Sequence, residues 1–486
     1  MTTLGALLDG HPLDPALRAV EIAGVCADSR AARAGFAFFA VPGHAADGMS
    51  FVADARARGA VVVVAEREAG CDLPLVVVPD ARAALAHAAA RFYPGQPQTI
   101  VAVTGTSGKT SVVAFLRQIW EACGHNAASL GTVGIVGRKD TLYGSLTTPG
   151  PVELHRNLDL LAGQRVTHLA MEASSLGIEQ RRLDGVRLTA AAFTNFSRDH
   201  LDHHADMEAY FAAKMRLFDT LMRPGQTAVI DADSDVAARV IELCLARGLR
   251  VFDVGARGAA ITILSAAPHA LATSLRLRHA GRDYEVELPL AGAFQTSNAL
   301  VAAGLAIAAG DAPDAVFAAL GGLQGAPGRL ELIGARDGAP VFVDYAHKPD
   351  ALEKVLATLR PLAKGRLVVV FGCGGDRDKG KRPLMGEIAA RGADSVIVTD
   401  DNPRSEDPQS IRTAILDGAH AAQGKASVVE IGDRRAAIEH AIAALRTGDI
   451  LVVAGKGHES GQIVGDVILP FSDHAVVEHA LQQDTP

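Results

Sequence analysis

Ile100-Val101-Ala102-Val103-Thr104-Gly105-Thr106-Ser107-Gly108-Lys109-Thr110-Ser111 opens as an apolar, β-branched run and breaks into glycines, hydroxyls and a lysine. A helical pattern follows from Val112 to Ala122, so the stretch reads as strand, loop and helix in succession. That succession is a phosphate cradle. Glycines let backbone N–H groups approach phosphate oxygens, and the following helix presents its positive end to them. Lys109 supplies a point charge and Thr110 a hydroxyl for magnesium. The longer form of the motif has glycine where this chain has Val103, so the loop is a shortened variant.

Outward from the loop, apolar runs such as Val61-Val62-Val63-Val64 and Leu75-Val76-Val77-Val78 alternate with Ala-rich helical stretches. This is the pattern of buried parallel strands with crossover helices, and the fold class is α/β. Turn-rich segments at Tyr93-Pro94-Gly95-Gln96-Pro97-Gln98 and Gly325-Ala326-Pro327-Gly328 divide the chain into domains 1–98, 99–327 and 328–486. The last carries strand patterns at 340–343, 367–370, 395–398 and 450–453, a dinucleotide-fold-like sheet with ligand groups expected at the strand carboxyl ends.

A length of 486 residues exceeds one hydrophobic core, and about three domains are expected at typical sizes. With 49% hydrophobic and 21% charged residues, composition gives no ground for disorder. The net charge of −8 offers no basic footprint for nucleic acid or an anionic membrane. Cys26, Cys71, Cys123, Cys244 and Cys373 lack paired spacing, which argues against a disulfide framework or a zinc site and for a reducing cytoplasm. The N-terminal segment lacks a basic stretch before an apolar run, and no stretch reaches roughly 20 apolar residues, so neither export nor a membrane span is expected. No obligatory protein partner is indicated.

Two further segments place acids and histidines just past strand ends: Met171-Glu172-Ala173-Ser174-Ser175, and Phe193 to Asp202, which contains Asp199 and His200. Such groups suit magnesium opposite a phosphate loop. From Asp206 to Thr220 a helix is expected, with Met207, Phe211, Lys214 and Phe218 on one face. Lys214 within that apolar stripe is either a snorkelling side chain at its edge or a buried amine open to covalent modification.

The loop at 104–111, the segments at 171–175 and 194–204 and the helix around Ala212 to Phe218 resemble the Mur ligase family, in the family's order and over essentially the whole chain. The resemblance implies a central P-loop ATPase-like parallel or mixed sheet, flanked by an N-terminal uridine-nucleotide domain and a C-terminal Rossmann-like domain. It implies ATP and magnesium as cofactors, with Gly105, Thr106, Ser107, Gly108, Lys109, Thr110, Ser111, Asn298, Arg329 and Asp344 at the nucleotide. Lys214 would be a carbamylated lysine, a magnesium ligand beside Thr110, Glu172 and His200. Lys109, Glu172, His200 and Lys214 form the implied catalytic set. Ser29, His44, Ala45 and Ala46 would hold the UDP portion, and Thr147, Thr148, Ser174, Gln180 and Arg182 the muramoyl dipeptide.

The implied substrates are UDP-N-acetylmuramoyl-L-alanyl-D-glutamate and meso-diaminopimelate. Activation of the D-glutamyl carboxylate as an acyl phosphate would precede attack by the amine, with domain closure between the two. Asp401-Asn402-Pro403-Arg404 ends in a guanidinium suited to the extra carboxylate that lysine lacks, Arg377 could grip a second, and Gly455 and Glu459 would hold the remaining ammonium. A folylpolyglutamate synthetase would share the phosphate loop and lysine helix without the uridine signature or Asp401 to Arg404. A P-loop regulatory or transport ATPase would leave the C-terminal arginines and Glu459 without a task.

Overall fold

The computed structural model describes every residue except 1, 44–45, 69, 71, 138–140, 143–145, 200–202, 423 and 483–486, with the backbone alone at 141–142. The chain forms two compact units. One comprises Met1–Leu264, Leu277–Tyr284 and Ser297–Ala319, the other Ser265–Arg276, Glu285–Thr296 and Leu320–Pro486.

In the first unit, β1 (Gly24–Cys26), β2 (Phe36–Phe39), β3 (Ala60–Ala65) and β4 (Leu75–Val77) make a parallel sheet in chain order. Helix α1 (Ala81–Phe92) packs Leu85 and Ala88 into one cluster with Val62 and Val64. The next strand, β5 (Thr99–Thr104), is buried along its whole length. It leads through the loop into α2 (Lys109–Ala122).

Strands β6 (Ala127–Gly131), β7 (His168–Glu172), β8 (Ala190–Phe193), β9 (Thr227–Asp231) and β10 (Arg250–Gly255) run parallel to β5 in the spatial order β6-β7-β5-β8-β9-β10. From β5 the chain passes to the outer strand β6, returns to β7 between the two, and then crosses to the other side of β5 to build outward through β8, β9 and β10. The phosphate loop therefore lies at the point where strand order reverses, the place in an open α/β sheet where a crevice opens at the strand ends.

The helix expected over 206–220 is α3 (Met207–Arg216), followed by a π-helical turn at Leu217–Leu221 in which Met222 N–H donates to Leu217 O (3.1 Å). The wider turn shifts the register by one residue, and Leu217 and Phe218 are both fully buried. Asn298 lies on α4 (Ala293–Ala309). Strands at Ile261–His269, Ala272–His279 and Arg282–Leu288 were not expected. In Ala272–His279 the signal was a two-residue period, in which Thr273, Leu275 and Leu277 are buried and Arg276 is exposed, whereas Ile261–His269 is mostly exposed and shows no such period.

In the second unit, β11 (Glu331–Arg336), β12 (Ala339–Asp344), β13 (Leu367–Phe371), β14 (Ser395–Val398), β15 (Ser427–Glu430) and β16 (Ile450–Ala454) form a sheet in the order β11-β12-β16-β13-β14-β15, parallel except for β11. Leu367, Val369, Phe371, Ile450 and Val452 pack with Leu352, Leu356 and Met385; Val368, Val370, Leu451 and Val453 pack with Ile438, Ile442 and Val477. Each face thus meets helices, which is why these strands read as unbroken apolar runs. Burial of each such side chain contributes roughly 1.5–3 kcal/mol.

This order sets the carboxyl ends of β12, β16, β13 and β14 side by side. A hairpin of β17 (Gly461–Val464) and β18 (Val467–Pro470) follows, then α5 (Asp473–Gln482). No helix among the described residues is long and apolar enough to cross a membrane. Cys26, Cys123, Cys244 and Cys373 are free thiols.

Candidate active site

Gly105 and Gly108 adopt φ of 143° and 86°, and a Cβ on Gly108 would lie 2.3 Å from Asn298 Oδ1. Only glycine fits both the turn and the approach of α4. The loop is braced from the end of β8. Thr194 hydroxyl donates to Ser107 O (2.7 Å), Ser107 N–H to Asn195 Oδ1 (2.9 Å), and Thr106 N–H to Asn195 O (2.8 Å). Two lysines converge on a single oxygen: Lys109 Nζ (2.9 Å) and the fully buried Lys214 Nζ (2.8 Å) both donate to Gly105 O. Lys109 also donates to Thr106 O (2.9 Å), and Lys214 lies 4.3 Å from the Tyr210 ring centroid. Sequence reasoning missed Asn195, whose partners are distant in the chain, and Tyr210, whose hydroxyl lies 3.3 Å from Thr106 Oγ1, 104 positions away.

Glu172, at the end of β7, is buried, and its carboxylate accepts Thr132 N–H (2.8 Å) and Thr132 hydroxyl (3.2 Å). A Cβ on Gly131 would lie 2.1 Å from Glu172 Oε1, so the glycine ending β6 makes room for the acid. Thr132 Oγ1 lies 3.0 Å from Thr147 Oγ1, Thr148 hydroxyl donates to Glu172 O (3.0 Å), and Ser174 donates to Thr148 Oγ1 from both N–H (3.0 Å) and hydroxyl (3.1 Å). Arg182 closes the chain of contacts by donating to Thr148 O and Gln180 Oε1, each at 2.7 Å. Thus Thr147, Thr148, Ser174, Gln180 and Arg182, singled out separately in the sequence, form one network with Glu172. Thr132, which the sequence reading passed over, joins it to the acid.

Thr110 and Ser111 are buried in the first turn of α2. The donor set fits magnesium and a nucleotide phosphate: Thr110 and Glu172 offer hard oxygens, and the cradle at Gly105 and Gly108 has no room for side chains. Among the described residues, no three His, Cys, Asp or Glu side chains gather as a metal site. His200, His44 and Ala45 lie outside the described residues. Ser29 is buried and hydrogen-bonds Asp54, which helps hold that carboxyl below its ordinary value; Ala46 is exposed.

In the second unit, Asp344 ends β12 with its carboxylate accepting Leu330 N–H (2.6 Å) and Ala346 N–H (2.7 Å). Burial raises its pKa to about 6, against the pull of Arg329 and these hydrogen bonds. Arg329 stacks 4.5 Å from the Tyr345 ring centroid. After β14, Asp401 and Asn402 are buried, and Asp401 Oδ2 has no partner among the described residues. Asn402 Nδ2 donates to Glu459 Oε2 (2.9 Å).

Arg404 has a left-handed backbone (φ 52°), held as its N–H donates to Ile463 O (3.0 Å) and its carbonyl accepts Gly465 N–H (2.8 Å). Its guanidinium donates to Gly375 O (2.8 Å). A Cβ on Gly375 would lie 1.9 Å from Pro403 O, so the loops after β13 and β14 meet only at glycine. Gly455 (φ 119°) likewise leaves room for Asp401 Oδ2, which a Cβ would approach to 2.7 Å. Arg377 is exposed and makes no ion pair or hydrogen bond with this group among the described residues.

The description "Mur ligase middle domain" matches residues 103–306, "Mur ligase, glutamate ligase domain" residues 328–457, and "Mur ligase family, catalytic domain" residues 21–93. Over 474 residues the chain is 57% identical to the UDP-N-acetylmuramoyl-L-alanyl-D-glutamate–2,6-diaminopimelate ligase of Bradyrhizobium diazoefficiens, with 96% of each chain covered. It is 55% identical over 468 residues to the protein of that name from Agrobacterium fabrum, covering 96% of this chain and 94% of that one. A solved structure of a ligase of that name superposes with a TM-score of 0.74 at 33% identity, over 99% of both chains.

Proposed function

The chain belongs to the Mur ligase family, and from that premise we propose that it adds meso-diaminopimelate to UDP-N-acetylmuramoyl-L-alanyl-D-glutamate at the expense of ATP, a step of peptidoglycan synthesis. The observation that carries the substrate choice is the cluster of Asp401, Asn402, Arg404 and Glu459 at the ends of β14 and β16. It offers a guanidinium and carboxylates, and diaminopimelate brings carboxylates and an ammonium.

The D-glutamyl carboxylate attacks the γ-phosphorus of ATP, ADP leaves, and an acyl phosphate results. The amine then attacks its carbonyl carbon, and the tetrahedral intermediate expels phosphate and a proton. Lys109 leaves its loop carbonyls to neutralise the transferring phosphoryl group, and the loop N–H groups cradle its oxygens. Asn298, Arg329 and Asp344 hold the rest of the nucleotide. The network of Thr147, Thr148, Ser174, Gln180 and Arg182 orients the dipeptide, and Ser29 with His44 to Ala46 holds the uridine portion.

Thr110, Glu172, His200 and a carbamylated Lys214 would hold magnesium, which supplies charge neutralisation along the phosphates. Two ammonium groups sharing Gly105 O repel each other, and a carbamate on Lys214 removes that repulsion. Domains 1–98, 99–327 and 328–486 carry the three substrate functions. The test is phosphate release assayed with a panel of amino acids. It should require both the UDP-muramoyl dipeptide and meso-diaminopimelate; release without either one, or with lysine preferred, overturns the reading.

A further inference from the structure

We infer that Lys456 is a positioning residue that sets how the amino-acid substrate's distal ammonium is received, an inference that rests on the reaction proposed above. Lys456 follows β16 and is fully buried. Its Nζ donates to Asn402 Oδ1 (2.9 Å) and to Glu459 Oε2 (3.0 Å), while Asn402 Nδ2 donates to that same Oε2 (2.9 Å). The three side chains therefore close a ring.

The ring has a definite sense. Asn402 Oδ1 also accepts Ile463 N–H (2.9 Å), so two donors fix the carbonyl side of the amide and turn its NH₂ toward Glu459. Glu459 Oε2 is then committed to two donors, and Oε1 is the oxygen that remains to meet a cation. An ammonium buried without solvent needs acceptors, and Lys456 uses acceptors that belong to two loops, the one after β14 and its own. Its task is thus to lock Asn402 and Glu459 in one mutual orientation before the substrate arrives. Without Lys456, Glu459 can rotate and Asn402 loses one of the two donors that set its amide.

The test compares Lys456→Met and Lys456→Gln with wild type in the full-length enzyme, using meso-diaminopimelate and 2-aminopimelate, which keeps the distal carboxylate but lacks the distal amine. Lys456→Met should raise KM for meso-diaminopimelate by about 10- to 150-fold, the worth of a charge-assisted hydrogen bond. KM for ATP and for the muramoyl dipeptide should hold, as should the lower efficiency with 2-aminopimelate. Lys456→Gln, which keeps an uncharged N–H donor group, should fall in between. Equal losses for both amino acids, a joint rise in all three KM values, or no change would overturn the inference. If Lys456→Met does not fold, the graded response of Lys456→Gln between the two amino acids decides the matter in the same way. Wild-type enzyme that turns over no meso-diaminopimelate would instead sink the functional reading on which the inference stands.

Discussion

Burial of Asp344 at the end of β12 raises its carboxyl to about 6, so the folded chain binds this proton more tightly than the unfolded chain. The stability it contributes is complete below the ordinary carboxylate range and is lost as pH rises through about 6. Wild type should therefore lose on the order of 1–3 kcal/mol relative to Asp344→Asn between pH 4 and pH 7.5; denaturant melts at several pH values read this, and a pH-independent gap would refute it. Arg404 carries the second expectation. Arg404→Ala keeps the Cβ and hence the same left-handed strain, and removes only the guanidinium. On the proposed assignment, loss of a pairing with the distal carboxylate should cost about 2–5 kcal/mol, or tens- to thousands-fold in efficiency with meso-diaminopimelate. Lysine should be affected far less, and an unchanged ratio of efficiencies for the two amino acids would remove Arg404 from its role. At this scale the sequence showed Lys109, Glu172 and Arg404 because each sits in a contiguous motif. Thr132 and Asn195 were hidden because Glu172 and Ser107 lie 40 and 88 positions away, and Lys456 because Asn402, which makes its contact with Glu459 a ring, lies 54 positions away.

The join between β5 and α2 depends on an N-terminal glycine that no L side chain replaces without strain. Gly108→Ala adds a left-handed penalty of about 1 kcal/mol and a collision with Asn298. KM for ATP should rise at least about tenfold, while the melting temperature falls by only a few degrees. An unaltered KM for ATP would show that α4 yields to the extra methyl group. Elements with strong apolar runs, such as β5, β13 and β16, were legible in the sequence almost to the residue. The end of α3 was not, because a π turn places Leu217 and Phe218 in the core without changing the apolar pattern. The strands Ala272–His279 and Arg282–Leu288 were missed because charged residues alternate with the buried ones and break the runs, and Ile261–His269 because most of it is exposed and its small and polar residues form no apolar run.

Across the whole molecule, the first turn-rich break in the sequence is held by polar contacts rather than left as a free linker. Tyr93 to Gln98 is packed, with Gly95 N–H on Asp159 (2.8 Å) and Gln96 on Gly185 O (3.0 Å), so the first two sheets share one compact unit. Polar contacts of that kind carry no periodicity, and sequence could mark the break but not its packing. The second unit is tied by Arg434 and Asp473, a fully buried pair with contacts of 2.8 and 2.7 Å. Asp473→Asn leaves a buried guanidinium uncompensated and should cost about 3–5 kcal/mol. Hydrogen exchange should quicken in β12, β13 and β16 while β5 and α2 keep their protection; uniform loss across the chain would contradict the division into two cores. Finally, Gly105 O has two lone pairs, and Lys109 and Lys214 use both. On the proposed mechanism, nucleotide would draw one lysine away, and carbon dioxide, by converting the other to a carbamate, would weaken its hold on the same oxygen. The dissolved gas and the nucleotide would thereby be linked ligands of one protein, each altering the other's affinity by the same factor.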